Sequence, residues 1–205
     1  MSAQGSGQWH RDRAGYATAS RFGDIIGKGR NGQYLKARED YLIEIVTERL
    51  TGEPIMKSHG SIGEHGKSLE TYARYAFEAQ TGIMVREVEF IEHPDIKLVG
   101  ASPDGLINGD SGCEIKCPAS SVVHLKTILA NQMPDEHMPQ VQGGMWVTGR
   151  KSWWFVSYDA RMPEHLRLFY QEIKRDDAYI SAMEAEIVKF LGEVDEFMKK
   201  LPRAA

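Results

Sequence analysis

Residues 102–118 constrain this chain more than any other stretch. They read Ser-Pro-Asp-Gly, then, after nine residues beyond Asp104, Glu114-Ile115-Lys116. Pro103-Asp104-Gly105 and Asn108-Gly109-Asp110 are turn signals. They punctuate two extended segments, 97–102 and 112–117, at a spacing suited to paired strands. If Asp104 ends one strand and 114–116 lie on the next, two carboxylates and one ammonium meet at a single point. Side chains two apart in a strand share a face. Glu114 and Lys116 therefore point one way, into a cleft, while Cys113, Ile115 and Cys117 pack inward. Asp104, Glu114 and the Ile115 backbone carbonyl offer the oxygen ligands that Mg²⁺ prefers, with waters completing the octahedron. Lys116 is no ligand. Its ammonium can orient a water or stabilise a charged transition state, a constellation suited to attack on a phosphodiester.

The tripeptide alone carries little. Glu172-Ile173-Lys174 repeats it without an upstream Pro-Asp and reads as a solvated strand end. By spacing alone, a plain turn at Asp104-Gly105 and a surface ion pair at Glu114 and Lys116 are equally open readings.

The rest of the chain supplies a frame. Its 205 residues fit one domain, 1–205, with residues 1–8 expected to be disordered. Thr18 or Ser20 is placed to cap a short helix through Ile25 and Ile26, and 27–32 reads as a mobile, basic, glycine-rich loop. A helix is predicted over 34–51, with a stripe of Leu35, Leu42, Ile45, Val46 and Leu50. Ser61-Ile62-Gly63-Glu64 has capping-box form and opens a second helix through Leu69, Tyr72, Ala73, Ala76 and Phe77 to Gly82. Residues 84–91 alternate as a strand. Helices are expected over 121–131 and 136–148, a hairpin from 152–158 and 166–173, and a long amphipathic helix over 176–200. This order implies a layered α/β or α+β domain.

Composition excludes several classes. No apolar run reaches the roughly 20 residues of a membrane span. Cys113 and Cys117 stand about 13 Å apart in an extended segment, too far for a disulfide. With no signal-peptide core, free thiols point to the cytoplasm. A net charge of −4 speaks against a basic nucleic-acid coat. It does not speak against an enzyme whose carboxylates hold cations. The seven histidines show no zinc spacing. Of Trp153 and Trp154, one is expected in the core, and the methionines of the last helix read as a packing face.

Several segments together resemble a known family. They are Trp9-His10 with Arg13 and Gly15, Thr18-Ala19-Ser20, Gly66-Lys67-Ser68-Leu69-Glu70, Ser102-Pro103-Asp104-Gly105-Leu106 and Glu114-Ile115-Lys116-Cys117-Pro118. Gln140-Val141-Gln142, Met145-Trp146-Val147-Thr148 and Tyr158-Asp159 with Arg161-Met162 follow. In this order they resemble the lambda-exonuclease family of phage recombination nucleases, of YqaJ type, within the PD-(D/E)XK superfamily. The resemblance implies a restriction-endonuclease-like core, a central mixed sheet flanked by helices.

It also implies roles. Asp104, Glu114 and the Ile115 carbonyl match the principal Mg²⁺ ligands, and Glu70 an acidic residue serving a second metal or its water. Two Mg²⁺ per site are implied, with Mn²⁺ as the alternative. Lys116 matches the catalytic lysine, and Gln140 a glutamine abutting the site; Gln142 points elsewhere on the helix. Arg13 matches the receptor for the 5′ phosphate of the strand to be cut, Ser20 adds a hydroxyl, and Arg30 contacts the backbone. Ile62 is the candidate wedge that splits the terminal pair, although Ile62-Gly63-Glu64-His65 departs from the bulky apolar residues of related enzymes. His137 and Pro139 also depart from the pattern.

The implied activity is 5′→3′ exonucleolysis of linear double-stranded DNA, releasing mononucleotides and leaving 3′ overhangs for phage recombination by strand annealing. A homotrimeric ring and a phage single-strand annealing protein are the implied partners, in the cytoplasm of a bacterial host. The rivals are a structure-specific or restriction-type endonuclease on the same fold and an inert DNA-end-binding module.

Overall fold

The computed structural model describes residues 6–55 and 60–202; the side chains of 60–68, and with them that of Ile62, lie outside the described residues. The chain forms α1 (Gly7–Arg13), β1 (Ala17–Thr18), α2 (Phe22–Ile26), α3 (Lys36–Thr51), α4 (Gly60–Thr81), β2 (Ile91–Glu92) and β3 (Val99–Ala101). It continues with β4 (Gly105–Ile107), β5 (Ser111–Lys116), α5 (Ser121–Ala130), α6 (Met138–Thr148), β6 (Ser152–Tyr158), β7 (Leu168–Lys174) and α7 (Asp177–Lys200). The strands divide into a four-stranded sheet, ordered β4-β5-β6-β7, and a three-stranded sheet, ordered β1-β3-β2. β5 and β6 run parallel, and β4 and β7 are antiparallel to their neighbours. A parallel pair needs a crossover, and α5 and α6 supply it. The expected mixed α/β arrangement of sheets flanked by helices is what forms.

Alternation along β5 and β6 sorts side chains between the two faces of the sheet. Cys113 and Ile115 pack with Ala73 and Phe77 of α4, Ile107 and Val156. The opposite face carries Trp153 and Phe155, packed with Val141 and Met145 of α6, Met133 and Phe169. A third core joins Phe22 and Ile25 of α2, Tyr41, Ile45 and Val46 of α3 and the inward stripe of α7 to Trp146 and Val147. The single helix α6 thus serves two cores, with Val141 and Met145 on one side and Trp146 and Val147 on another.

Trp153 is the core tryptophan of its pair, 1% exposed. Its ring lies on Gly112 of the adjacent strand, where a Cβ would stand 2.4 Å from it. Gly112→Ala is expected to cost about 1–3 kcal/mol by overpacking. A melting temperature lower by on the order of 5 °C, read by circular dichroism, checks this.

Some expectations do not hold. Of residues 1–8, expected to be disordered, 1–5 lie outside the described residues, while Gly7 and Gln8 open α1, where the Ser6 side chain accepts the Trp9 N–H as an N-cap. The 84–91 segment is no strand. Only Arg86 bridges, to Leu106, and β2 begins at Ile91. Val85 packs in the α4 core while Phe90 sits on the Tyr16 ring at 5.1 Å, so the segment passes between sheets and no single ladder takes it. The 27–32 loop is a hydrogen-bonded turn, tied to α7 by Lys28 and Tyr34, which both donate to Glu186. On α3 the stripe is off at its ends. Leu35 and Leu50 are 49% and 60% exposed, while Arg38 and Tyr41 are buried. Ser61 lies inside α4 rather than before it.

Asp104 opens the β4–β5 hairpin instead of closing β3, which belongs to the other sheet. The pairing of Gly105 with Cys113 still sets Asp104 abreast of Glu114. Among the described residues no helix is long and apolar enough to cross a membrane.

Candidate active site

The site forms where β5 ends. The Oδ2 of Asp104 accepts the Ile115 N–H at 2.6 Å, which locks the hairpin mouth. Glu114 is buried, yet its Oε1 accepts from Lys116 Nζ at 2.7 Å and from Gln140 Nε2 at 2.6 Å. Lys116 also donates to Gln140 Oε1 at 3.1 Å, closing a three-membered ring of contacts. Gln140 can join because it stands in the first turn of α6, with Pro139 before it where a missing N–H is harmless. Gln142 serves the fold: its amide donates to the Lys174 carbonyl and accepts from the Asp176 N–H.

The second Glu-Ile-Lys offers a contrast. Lys174 and Glu172 pair at 2.6 Å, but the side chains are 72% and 32% exposed, against 31% and 6% for Lys116 and Glu114. Identical tripeptides thus occupy different media: one lies on the edge strand, the other is enclosed by α6 and the hairpin.

Electrostatics follow from enclosure. Burial, then the charges of Glu114 and Glu70, push the Asp104 carboxyl well above its ordinary range. Burial works against the Lys116 ammonium, but Glu114, Asp104 and Glu70 outweigh it and hold the pKa above its usual value. Glu70, on α4, therefore lies within electrostatic reach of both. His137 stacks on Phe155 at 5.2 Å beside the site, and burial and the Lys116 charge lower its pKa to about 4.

Three carboxyl groups gather around one ammonium, with Glu114 buried and Asp104, Glu70 and Lys116 partly so, an arrangement that favours a further cation. Hard oxygen donors of this kind fit Mg²⁺ or Mn²⁺. Asp104, Glu114 and the Ile115 carbonyl would hold the ion, with Glu70 beside a second. Among the described residues no three acidic, thiol or imidazole side chains stand grouped as a metal-holding set by themselves, so the Ile115 carbonyl and waters would have to complete the shell. Lys116 and Gln140 share the Glu114 carboxylate.

Arg13 approaches from the N-terminus. Its guanidinium lies 4.0 Å from the Trp9 ring centroid and donates to Thr18 Oγ1 at 3.4 Å and Ser20 Oγ at 3.2 Å. Burial lowers its pKa, while Tyr41, Glu48 and Glu114 act the other way, so it stands within electrostatic reach of the Glu114 cluster. Its mount is rigid: Gly15, with φ of 77°, gives its N–H to Glu48 and its carbonyl to Arg49, and Tyr41 donates to the Tyr16 carbonyl. Arg30 is exposed at the tip of its turn and is joined to this cluster by no hydrogen bond or ion pair among the described residues. Trp9 had a sequence signal, since Trp and Arg four apart share a helix face.

The chain matches the YqaJ-like viral recombinase domain over residues 8–151. It belongs to that family. The matched stretch contains every residue of the cluster, from Arg13 through Gln140. The alkaline exonuclease LHK-Exo of Laribacter hongkongensis, also solved in complex with dAMP, is 37% identical to this family member. It superposes with a TM-score of 0.86 over 94% of both chains. ExoD of Escherichia coli K12 is 34% identical over 65 residues, 32% of this chain and 74% of ExoD. YqaJ of Bacillus subtilis 168 is 29% identical over 148 residues, 70% of this chain but 44% of YqaJ, so the match spans less than half of that relative.

Proposed function

We propose that this protein is a divalent-metal-dependent exonuclease that degrades linear double-stranded DNA from its 5′ ends. The coarse part, a nuclease, is supported by the family and by the likeness to an alkaline exonuclease. One observation carries the finer part: the Glu114–Lys116–Gln140 ring with Asp104 lies within electrostatic reach of a hydroxyl-braced arginine.

Arg13 takes the terminal 5′ phosphate, because a guanidinium fork pairs two of its oxygens. Thr18 and Ser20 hold that fork in place. Asp104, Glu114 and the Ile115 carbonyl would hold a divalent cation, which would supply positive charge at the attacked phosphate and make water more acidic. Lys116 orients the attacking water and balances charge as the oxygen–phosphorus bond forms and the bond to the 3′ oxygen breaks. Gln140 holds Lys116 and Glu114 in register. The products are a 5′-mononucleotide and a strand shortened at its 5′ end. We further propose a homotrimeric ring, which would retain DNA without a basic surface, a phage annealing protein that coats the 3′ overhang, and action in the bacterial cytoplasm.

Strand-labelled linear duplex and covalently closed circular DNA, each with Mg²⁺, test the reading. Mononucleotides are expected from the 5′-ended strand, with the circle left intact. Cutting of the circle would assign an endonuclease. Binding of ends without any nucleotide release would assign an end-binding module.

A further inference from the structure

β5 ends at Lys116, and the chain leaves the sheet to begin α5 at Ser121. A strand terminus has neighbours on one side only, yet this one is fastened by polar groups from β6, the segment after it and α5: Ser157, Asp159 and His124 are buried, and Arg161 is half-exposed. Ser157, opposite Lys116 in the parallel ladder, is buried. His124 on α5 is fully buried; its Nδ1 lies 2.7 Å from Ser157 Oγ and its Nε2 2.8 Å from the Leu166 carbonyl. A carbonyl only accepts, so Nε2 carries a proton toward Leu166, while Nδ1 and the Ser157 hydroxyl share the other hydrogen bond.

Two residues beyond Ser157, Asp159 is 1% exposed. It accepts from Arg161 Nε at 2.8 Å, from Arg161 Nη2 at 2.8 Å and from the Arg161 N–H at 3.0 Å. The same guanidinium donates to the Ala119 carbonyl at 2.7 Å and the Pro118 carbonyl at 3.0 Å. Burial would raise the Asp159 carboxyl, but bonds from Arg161 and Ser121 outweigh it and hold it far below its ordinary range.

We propose that His124, Ser157, Asp159 and Arg161 are positioning residues that clamp the end of β5 and thereby aim the Lys116 ammonium. This rests on the hydrolytic reading above. None of the four side chains is hydrogen-bonded to Glu114, Lys116 or Gln140 among the described residues. Buried ionic and polar groups are a poor device for raw stability, since apolar replacements often do as well. They are effective at fixing a backbone. A displacement of about 1 Å at a catalytic group can cost on the order of 10²-fold in rate, and the clamp grips the two carbonyls that follow Lys116 most closely after Cys117.

The test compares the wild-type chain with Arg161→Lys, which keeps the charge but loses the fork, and the milder Ser157→Ala. Single-turnover release from saturating 5′-phosphorylated duplex with Mg²⁺, end affinity without metal, and amide hydrogen exchange are measured on each. The rate is expected to fall about 10–100-fold, as for supporting groups behind a reactive site. End affinity should hold within about twofold, and faster exchange should be confined to residues 115–121. An unchanged rate in either variant, or exchange that rises throughout the protein, would overturn the clamp. A wild-type chain that releases no nucleotide sinks the hydrolytic reading itself, whereas an active wild type with equally active variants sinks only the clamp.

Discussion

In the Lys116→Ala protein, nucleotide release from 5′-phosphorylated linear duplex falls on the order of 10³-fold, to a trace, while DNA-end binding persists. The ammonium is the positive group that the fold sets among Asp104, Glu114 and Glu70, and it is held 2.7 Å from Glu114 by Gln140 as well as by its own strand. Alanine leaves the β5–β6 ladder intact, since that ladder is made by the backbone. It removes the group that balances charge on the reacting phosphate. It also leaves Glu114 with one donor fewer, so tighter metal binding with lost turnover is the paired expectation. Single-turnover assays with Mg²⁺, beside gel shifts without it, separate the two effects. Wild-type rates in the variant would show that the lysine has another role.

Arg13→Ala produces the second large effect, and its pattern matters more than its size. A charge-assisted hydrogen bond is worth about 1.5–3 kcal/mol, so loss of even one arm of the fork should slow hydrolysis of 5′-phosphorylated ends by about 10–100-fold, and loss of both by more. Ends bearing a 5′ hydroxyl should change little, because they lack the group that Arg13 receives. Trp9, Thr18 and Ser20 keep the guanidinium in place, so a lysine there would carry the charge without the fork. Equal losses on both kinds of end, measured in competition on differently labelled duplexes, would contradict the phosphate role.

What could be read in advance divides by range. The turn at Asn108-Gly109-Asp110 is local and so is the period of two that puts Glu114 and Lys116 on one face, but the partner of β5 is the short β4 rather than the expected 97–102 segment, which pairs in the other sheet. The 121–131, 136–148 and 176–200 helices are also local in origin and form nearly as expected. The 84–91 segment has a strand's alternation, but its apolar residues belong to different cores. Helix α1 was hidden because its polar sequence has no buried residue to announce it; one serine cap starts it. Arg13 and Gln140 carry no local signature of a site. Only the family resemblance singled them out, because the neighbours that give them meaning come from distant parts of the chain. The His124–Ser157 pair is equally silent in sequence, 33 residues apart and meeting only across the crossover.

The proposed receptor for the DNA end and the proposed hydrolytic groups have separate foundations. Arg13 is braced through Gly15 and Tyr16 onto α3, in the core shared with α7, whereas Glu114 and Lys116 ride on the four-stranded sheet. Helix α6 spans both, with Trp146 and Val147 in one core and Val141 and Met145 in the other. In the proposed exonuclease, the setting of Arg13 against Glu114 and Lys116 therefore depends on two oily interiors that meet on different sides of one rod. Repacking that rod would shift one foundation against the other without touching a charged residue.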